Sequence, residues 1–288
     1  MQTFDFQALG TVWSVVVDIE TSLPESLPQA VTDYLQDFES RFSRFLPKSE
    51  ANAFRETRAG TYPVSPEFAV LLQRASLLRE LTGGVYDPVV GGVLESIGYG
   101  GQSGLAPVQY GKALPAWFLT GETLTLDGPV AFDFGGIGKG YAIDRVAAIV
   151  RAAGYPYFIV DGGGDMFGAT KADGQPWRVA IEYPGKPDTA AGVVELSNRG
   201  LAVSDSFRRR WGTWHHLINP GERQNIKAVV GCASVAPDAW SADCMTSGLF
   251  FSLPDQYPKL AEAWGASYIV FHSGGQAVVS HDWQGELY

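Results

Sequence analysis

The stretch Val130-Ala131-Phe132-Asp133-Phe134-Gly135-Gly136-Ile137-Gly138-Lys139-Gly140-Tyr141 runs directly into an amphipathic segment, and its reading decides the fold. Upstream, Thr123-Leu124-Thr125-Leu126 and Val130 to Phe134 flank the turn signal Asp127-Gly128-Pro129, which predicts a hairpin-like pair. Downstream, Ala142, Val146, Ile149, Val150 and Ala153 fall on one face of a helix, and Gly154 stands where a C-terminal cap belongs. Tyr157-Phe158-Ile159-Val160 then reads as a strand that empties into Asp161-Gly162-Gly163-Gly164-Asp165. Glycine turns at a helix entrance let backbone N–H groups approach an anion, and the helix dipole favours negative charge there. Two such turns around one helix point to a phosphate-bearing ligand. The plainer alternative is that these glycines serve tight turns and close packing.

Two familiar nucleotide motifs fail here. A P-loop needs glycine five residues before its Gly-Lys pair and a hydroxyl residue after the lysine, whereas Asp133 and Gly140 hold those places. A dinucleotide fingerprint beginning at Gly136 would need glycine where Tyr141 stands.

Working outward, Thr11 to Asp18 alternates as a strand with Trp13, Val15 and Val17 on one face. A helix is predicted around Pro28 to Arg41, carrying Val31, Leu35, Phe38 and Phe42. Ser65, Pro66 and Glu67 are an N-cap, a first-turn proline and a dipole-matched acid, and Gly83 follows the end of that helix. Residues 98–121 are irregular and glycine-rich, suited to a loop over a ligand. Strands follow near 177–182, 192–196 and 228–235, then a helix holding Asp243 and another with Tyr257, Leu260, Ala261 and Trp264, closed by Gly265. A hairpin from Tyr268 to Ser280 ends the core. Strand pairs with helices between them, without repeat or linker, predict an α+β fold and a single unit over 1–288.

Composition bounds the rest. The chain has 288 residues, 45% hydrophobic and 12% aromatic, enough for a packed core. A formal net charge of -10 argues against nonspecific nucleic-acid binding. The concentrated basic run is Arg208-Arg209-Arg210, either a local anion patch or a solvated strand end. Cys232 and Cys244 fall in a predicted strand and helix, without zinc-ligand spacing, and are expected as buried free thiols. No run approaches the ~20 apolar residues of a membrane span. The start, Met1-Gln2-Thr3-Phe4-Asp5-Phe6, lacks signal-peptide features, so a cytoplasmic location is expected, or export if a leader has been removed.

Several separated segments together resemble the FAD:protein FMN transferase family, the ApbE-like flavin transferases. They are Leu9-Gly10-Thr11-Val12-Trp13, Phe42 to Glu50, Thr82-Gly83-Gly84-Val85-Tyr86-Asp87-Pro88, Asp133 to Asp144, and Gly163-Gly164-Asp165. Trp177 to Ile181, His216-Leu217-Ile218-Asn219-Pro220 and Ala242-Asp243-Cys244-Met245-Thr246-Ser247 complete the series in the family's order. The resemblance implies an ApbE-like fold of mixed or antiparallel sheets with flanking helices, its ligand site between two intimately joined halves. It further implies magnesium-dependent transfer of FMN from FAD to a Thr or Ser hydroxyl of a partner flavoprotein, with release of AMP. A noncatalytic FAD-binding protein, or an FAD pyrophosphatase giving FMN and AMP, is the alternative.

By the same resemblance the metal positions are Asp243, Ser247 and the carbonyl of Gly138. Asp243 and Ser247 are one helical turn apart, and a hard cation wants oxygen ligands, although spacing alone would equally suit a helix cap. The flavin positions are Leu9, Phe45, Val85, Tyr86, Asp87, Gly135, Lys139 and Tyr141. Aromatic rings suit stacking, though Phe45 and Tyr86 could equally be core residues. Asp87 could accept hydrogen bonds from an amine or ribose, and Lys139 could meet a phosphate. His216 matches the family's His-Ile-Ile-Asp-Pro histidine and is the implied acceptor of the incoming hydroxyl's proton, its ordinary pKa lying near neutrality. Bonding a backbone carbonyl is its structural alternative, and His215 is structural by default. The chain departs from the family where Thr-Ser-Gly-Asp-Tyr becomes Val203-Ser204-Asp205-Ser206-Phe207, and where Asn219 replaces Asp.

Overall fold

The computed structural model describes residues 1–100 and 104–288. Its helices are α1 (Ser26–Phe42), α2 (Pro66–Leu81), α3 (Gly91–Ser96), α4 (Gly138–Ala152), α5 (Ala239–Phe251) and α6 (Tyr257–Trp264). Among the described residues no helix is long and apolar enough to cross a membrane. The chain divides into two units. The first comprises Met1–Asp37, Ile137–Arg208 and Lys227–Tyr288, and the second comprises Phe38–Gly136 and Arg209–Ile226.

The first unit is built on an eight-stranded sheet. Its strands are β1 (Gln2–Ala8), β2 (Thr11–Val17), β3 (Phe158–Gly162), β4 (Met166–Gly168), β5 (Arg199–Asp205), β6 (Val229–Ala236), β7 (Ser267–His272) and β8 (Ala277–Val279). They pair antiparallel throughout, in that same order across the sheet. Period-two alternation then sends successive side chains to opposite faces. Leu201, Ala233, Val235, Ile269 and Phe271 pack with Trp177, Ile181, Val194 and Leu196 of a three-stranded sheet (Trp177–Tyr183, Lys186–Leu196, Gly285–Leu287). Cys232, between Ala233 and Gly231, instead points its thiol at the Thr246 carbonyl of α5, 3.5 Å away. With both faces covered, β6 is buried almost end to end.

The second unit has an aromatic core. Phe42, Phe54, Phe68, Phe132 and Phe134 pack mostly edge to face or tilted, with Phe68 5.5 Å from Phe132 and 5.3 Å from Phe134, while Phe132 and Phe134 lie parallel at 6.1 Å. Buried apolar residues of α2 pack there, and its Ser65 cap accepts the Phe68 N–H at 3.3 Å.

One sequence expectation is corrected. Thr123–Leu126 pairs not with Val130–Phe134 but with Gly60–Pro63 and with Trp117–Thr120. Val130, Ala131 and Phe132 are completely buried, and their segment bonds irregularly, Val130 N–H to Phe54 O at 3.0 Å and Asp133 N–H to Pro88 O at 2.7 Å. Tertiary burial, not a local turn, directs that run. The expected loop over 98–121 contains the strand Trp117–Thr120, and its residues 101–103 lie outside the described set. Strands β1 and β5 escape the sequence reading, β5 because its Gly200-Leu201-Ala202 run is buried with no alternation to betray it. Both cysteines are buried thiols outside any disulfide, as expected.

Candidate active site

In the first unit the site grows from the crossing of α4 and α5. The first N–H groups of any helix lack intrahelical partners, and negative charge is favoured beside them. Asp243, on α5, supplies that charge: its Oδ2 accepts the Gly140 N–H at 2.8 Å. The approach depends on glycine, because a Cβ at Gly140 would lie 2.7 Å from Asp243 Cβ and strike the Ala239 carbonyl oxygen. The arrangement is reciprocal. Asp144, on α4, accepts the Ala239 and Trp240 N–H groups at the start of α5, each at 2.9 Å, while α5's own cap Asp238 takes the Ser241 N–H at 2.6 Å. Spacing alone allowed Asp243 to be a cap, and it does cap a helix, but α4 rather than its own.

Gly138 is the first residue of α4, and Ser247 lies buried one turn beyond Asp243. Thr246 turns the other way, its hydroxyl bonding the Asp243 carbonyl at 3.0 Å and the Ser204 hydroxyl at 3.1 Å. Tyr141 packs edge to face on Trp240, ring centroids 4.7 Å apart.

Lys139 does not present a bare charge. Its ammonium forms a short ion pair with the Asp165 carboxylate, whose other oxygen accepts the Val203 N–H at 2.9 Å. Asp165 is itself almost wholly buried. In the same turn the Asp161 carboxylate accepts the Gly164 N–H at 2.7 Å. Burial pushes the Asp161 carboxyl above its ordinary value against the pull of the Gly164 and Gly163 N–H bonds, with the Asp165 charge adding to the rise. Gly163, at φ +78°, lets the turn press on Thr11, where a Cβ would meet the threonine side chain. Thr11 directly follows the two-residue β1–β2 turn Leu9-Gly10, with φ of +50° and +73°. A leucine in the left-handed region is strained, so this candidate flavin position sits on a backbone the surrounding sheet must hold in place.

In the second unit the candidates gather around a buried Arg44–Asp133 ion pair, Nε to Oδ2 at 2.5 Å. The other Asp133 oxygen accepts the Gly135 N–H at 2.7 Å. Phe45 is exposed, not a core aromatic, with the Arg44 guanidinium 4.3 Å above its ring centroid. Tyr86 is the core residue of the two. Val85 is half-buried and donates its N–H to Thr82 O at 3.2 Å. Asp87 faces inward, Oδ1 accepting Val89 N–H at 3.0 Å and Trp117 Nε1–H at 3.1 Å and Oδ2 pairing with Arg79 at 2.9 Å. Those contacts tie Asp87 to α2 through Arg79 and to the strand Trp117–Thr120.

The two histidines separate cleanly. His215 bonds the Ile226 carbonyl through Nε2 at 3.0 Å and accepts the Leu217 N–H at Nδ1 at 3.3 Å, a structural, neutral imidazole. His216 donates its backbone N–H to Arg209 O at 3.2 Å, and its Nδ1 is buried with no hydrogen-bond partner among the described residues. Its pKa is not near neutrality: burial, then the positive charge of Arg209, push it down to about 3.

The ApbE family model matches residues 9–270. The chain belongs to the ApbE family. Among its ApbE relatives are the FAD:protein FMN transferase of Haemophilus influenzae, 27% identical with 84% of this chain and 77% of that protein covered, and that of Escherichia coli, 24% identical with 93% and 83% covered. The ApbE protein of Thermotoga maritima superposes with a TM-score of 0.83 at 23% identity, covering 97% of each chain, and the flavin transferase ApbE of Vibrio cholerae with a TM-score of 0.80 at 22% identity. The α+β architecture is therefore the ApbE fold.

Both departures from the ApbE pattern have local explanations. Asp205, in the family's glycine position, avoids positive φ and closes its own turn by accepting the Phe207 and Arg208 N–H groups at 2.7 and 2.9 Å. Asn219 accepts the Gly221 and Glu222 N–H groups at 3.0 and 3.2 Å through one oxygen, a task either an amide or a carboxylate performs. Sequence reasoning quoted Asp165, Arg44 and Asp144 within ApbE motifs but gave them no role. A charged residue inside a glycine turn or a buried run was the available signal, since such a group must find a partner.

Proposed function

We propose that this ApbE-family chain transfers the FMN moiety of FAD to a Thr or Ser hydroxyl of a partner flavoprotein, with AMP leaving and with magnesium as the metal. The names of its curated relatives support the reaction class. The observation that carries the reading is the Asp243 carboxylate lodged at the N-terminus of α4, on the same helix as Ser247 and against the turn that begins with Gly138.

The donor set fits a hard cation. Carboxylate, hydroxyl and main-chain carbonyl are all oxygens, the set magnesium prefers, and Asp243 is its one charged member. Asp243, Ser247 and the Gly138 carbonyl would hold the ion. When bound, it neutralises charge that builds on the pyrophosphate oxygens. The chain's own groups do the rest. The α4 N-terminus with its glycine turn supplies N–H groups and a favourable dipole for phosphate. His216, neutral at physiological pH, offers a ring nitrogen to orient the attacking hydroxyl. The hydroxyl oxygen bonds to the FMN-side phosphorus as its proton passes through the His216 ring nitrogen, the bond to the bridging oxygen breaks, and that oxygen leaves as the phosphate of AMP, which takes up the proton.

Incubating the protein with FAD and magnesium, with and without a threonine-bearing flavoprotein acceptor, tests the reading. AMP together with covalently flavinylated acceptor is the expected result on chromatography. AMP with free FMN regardless of acceptor would make the chain a pyrophosphatase, and intact bound FAD would make it a binder.

A further inference from the structure

The run Arg208-Arg209-Arg210 has three different fates. Arg208 is neutralised, its guanidinium 2.7 Å from Glu182 and 3.3 Å from Asp205. Arg210 sits in a two-residue strand paired with His215 and is exposed. Arg209 is half-buried, yet no carboxylate lies within ion-pair distance of it among the described residues. Its charge bears on the Tyr99 hydroxyl. In a chain with 31 acidic and 21 basic residues, an unneutralised, half-buried guanidinium is costly unless something else meets it.

What surrounds it has the character of a site. Tyr99 stacks on Trp211, centroids 4.5 Å apart and planes 25° from parallel. The indole is pinned by its Nε1–H to Ile97 O at 2.7 Å. The Arg44 guanidinium lies 5.0 Å from the Tyr99 centroid. Asp133, which bears electrostatically on both Tyr99 and His216, is already held by Arg44 and the Gly135 N–H. His216 follows with its buried, unpartnered Nδ1 and its backbone tied to Arg209. A cation without a counter-charge, a ring nitrogen without a partner and a fixed aromatic wall therefore occur together.

We propose that Arg209 is a substrate-binding residue, meeting a phosphate oxygen of the flavin nucleotide beside His216. This deepens the FMN-transfer reading and rests on it. Guanidinium matches phosphate geometry with paired N–H donors, and charge-assisted bonds of this kind are the strong ones. The same charge helps keep His216 neutral, so its ring nitrogen serves as a hydrogen-bonding group rather than a second cation.

The test measures FAD binding to the full chain by flavin fluorescence, with inorganic pyrophosphate as competitor, for wild type, Arg209→Met, Arg209→Lys and Arg210→Gln. Arg209→Met should raise the FAD dissociation constant about 10- to 100-fold and weaken pyrophosphate competition in parallel. Its FAD affinity should also depend less on salt than wild type's, which a merely structural loss would not produce. Arg209→Lys should fall between the two, and Arg210→Gln should match wild type. Circular dichroism melts establish that each variant is folded. Arg209→Met binding FAD and pyrophosphate as wild type does would overturn the inference and leave the transferase reading standing. Wild type binding no FAD would overturn both.

Discussion

The backbone N–H of Gly140 and the carboxylate of Asp243 meet at 2.8 Å, across a helix crossing where even a methyl group on Gly140 has no room. One contact thus links the glycine turn to the helix that carries the metal-site candidates. Because Asp144 answers from α4 at the start of α5, each helix neutralises the other's dipole.

The Asp243 pair can be dissected by two substitutions. Asp243→Ala should cost ~1–3 kcal/mol of stability, since the Gly140 N–H loses its acceptor, and should abolish magnesium-dependent AMP release. Asp243→Asn keeps an acceptor oxygen and removes the charge. Its stability should fall by less than ~1 kcal/mol while AMP release drops at least ~100-fold, read by urea unfolding and chromatography side by side. An Asn variant with wild-type turnover would show that the carboxylate serves the helix alone.

Gly140→Ala should destabilise by ~3 kcal/mol, because backbone and Cβ atoms, not a flexible side-chain end, stand in the way. Gly128→Ala is the contrast, with open space around its Cβ and an ordinary φ, and should stay within ~0.5 kcal/mol of wild type. Equal effects in denaturant titrations would mean that the two helices do not cross so closely.

Lys139 and Asp165 form the next test. Asp165→Asn strands a mostly buried ammonium and should cost ~3 kcal/mol or more. The double variant Lys139→Met with Asp165→Leu removes both charges and should lose clearly less than the sum of the single changes. Additive losses in the cycle would argue that Lys139 is held by something other than Asp165.

His216 makes a prediction about pH. With its pKa pushed down to about 3 by burial, kcat/KM for FAD should show no histidine limb between pH 5 and 8. The stability consequence has a definite sign. The folded pKa lies below the unfolded value of about 6.5, so the contribution is fully present above pH ~6.5 and is lost as pH falls toward 3. His216→Gln should therefore lose less stability than wild type between pH 7 and pH 4.5. An acid limb near pH 6.5 that vanishes in His216→Gln would contradict the buried, neutral ring.

The sequence by itself determined the elements whose signals are local. The Ser65-Pro66-Glu67 start of α2, the Trp13, Val15 and Val17 face of β2, and the α4 face from Ala142 to Val150 ending at Gly154 all follow from caps, fixed periods and glycine at positive φ. The order of its motifs also pointed to the ApbE family. What only the tertiary structure decided concerns partners distant in the chain. Val130 to Phe132 looked like half a hairpin but is drawn into an aromatic core. The pairing of Lys139 with Asp165, and of Asp87 with Arg79 and Trp117, is likewise set by the fold. His216 looked like an ordinary base until burial and Arg209 set its charge. The physical reason is common to these cases: a cap or a period is written in neighbouring residues, whereas desolvation and charge pairing depend on what folding brings beside each group.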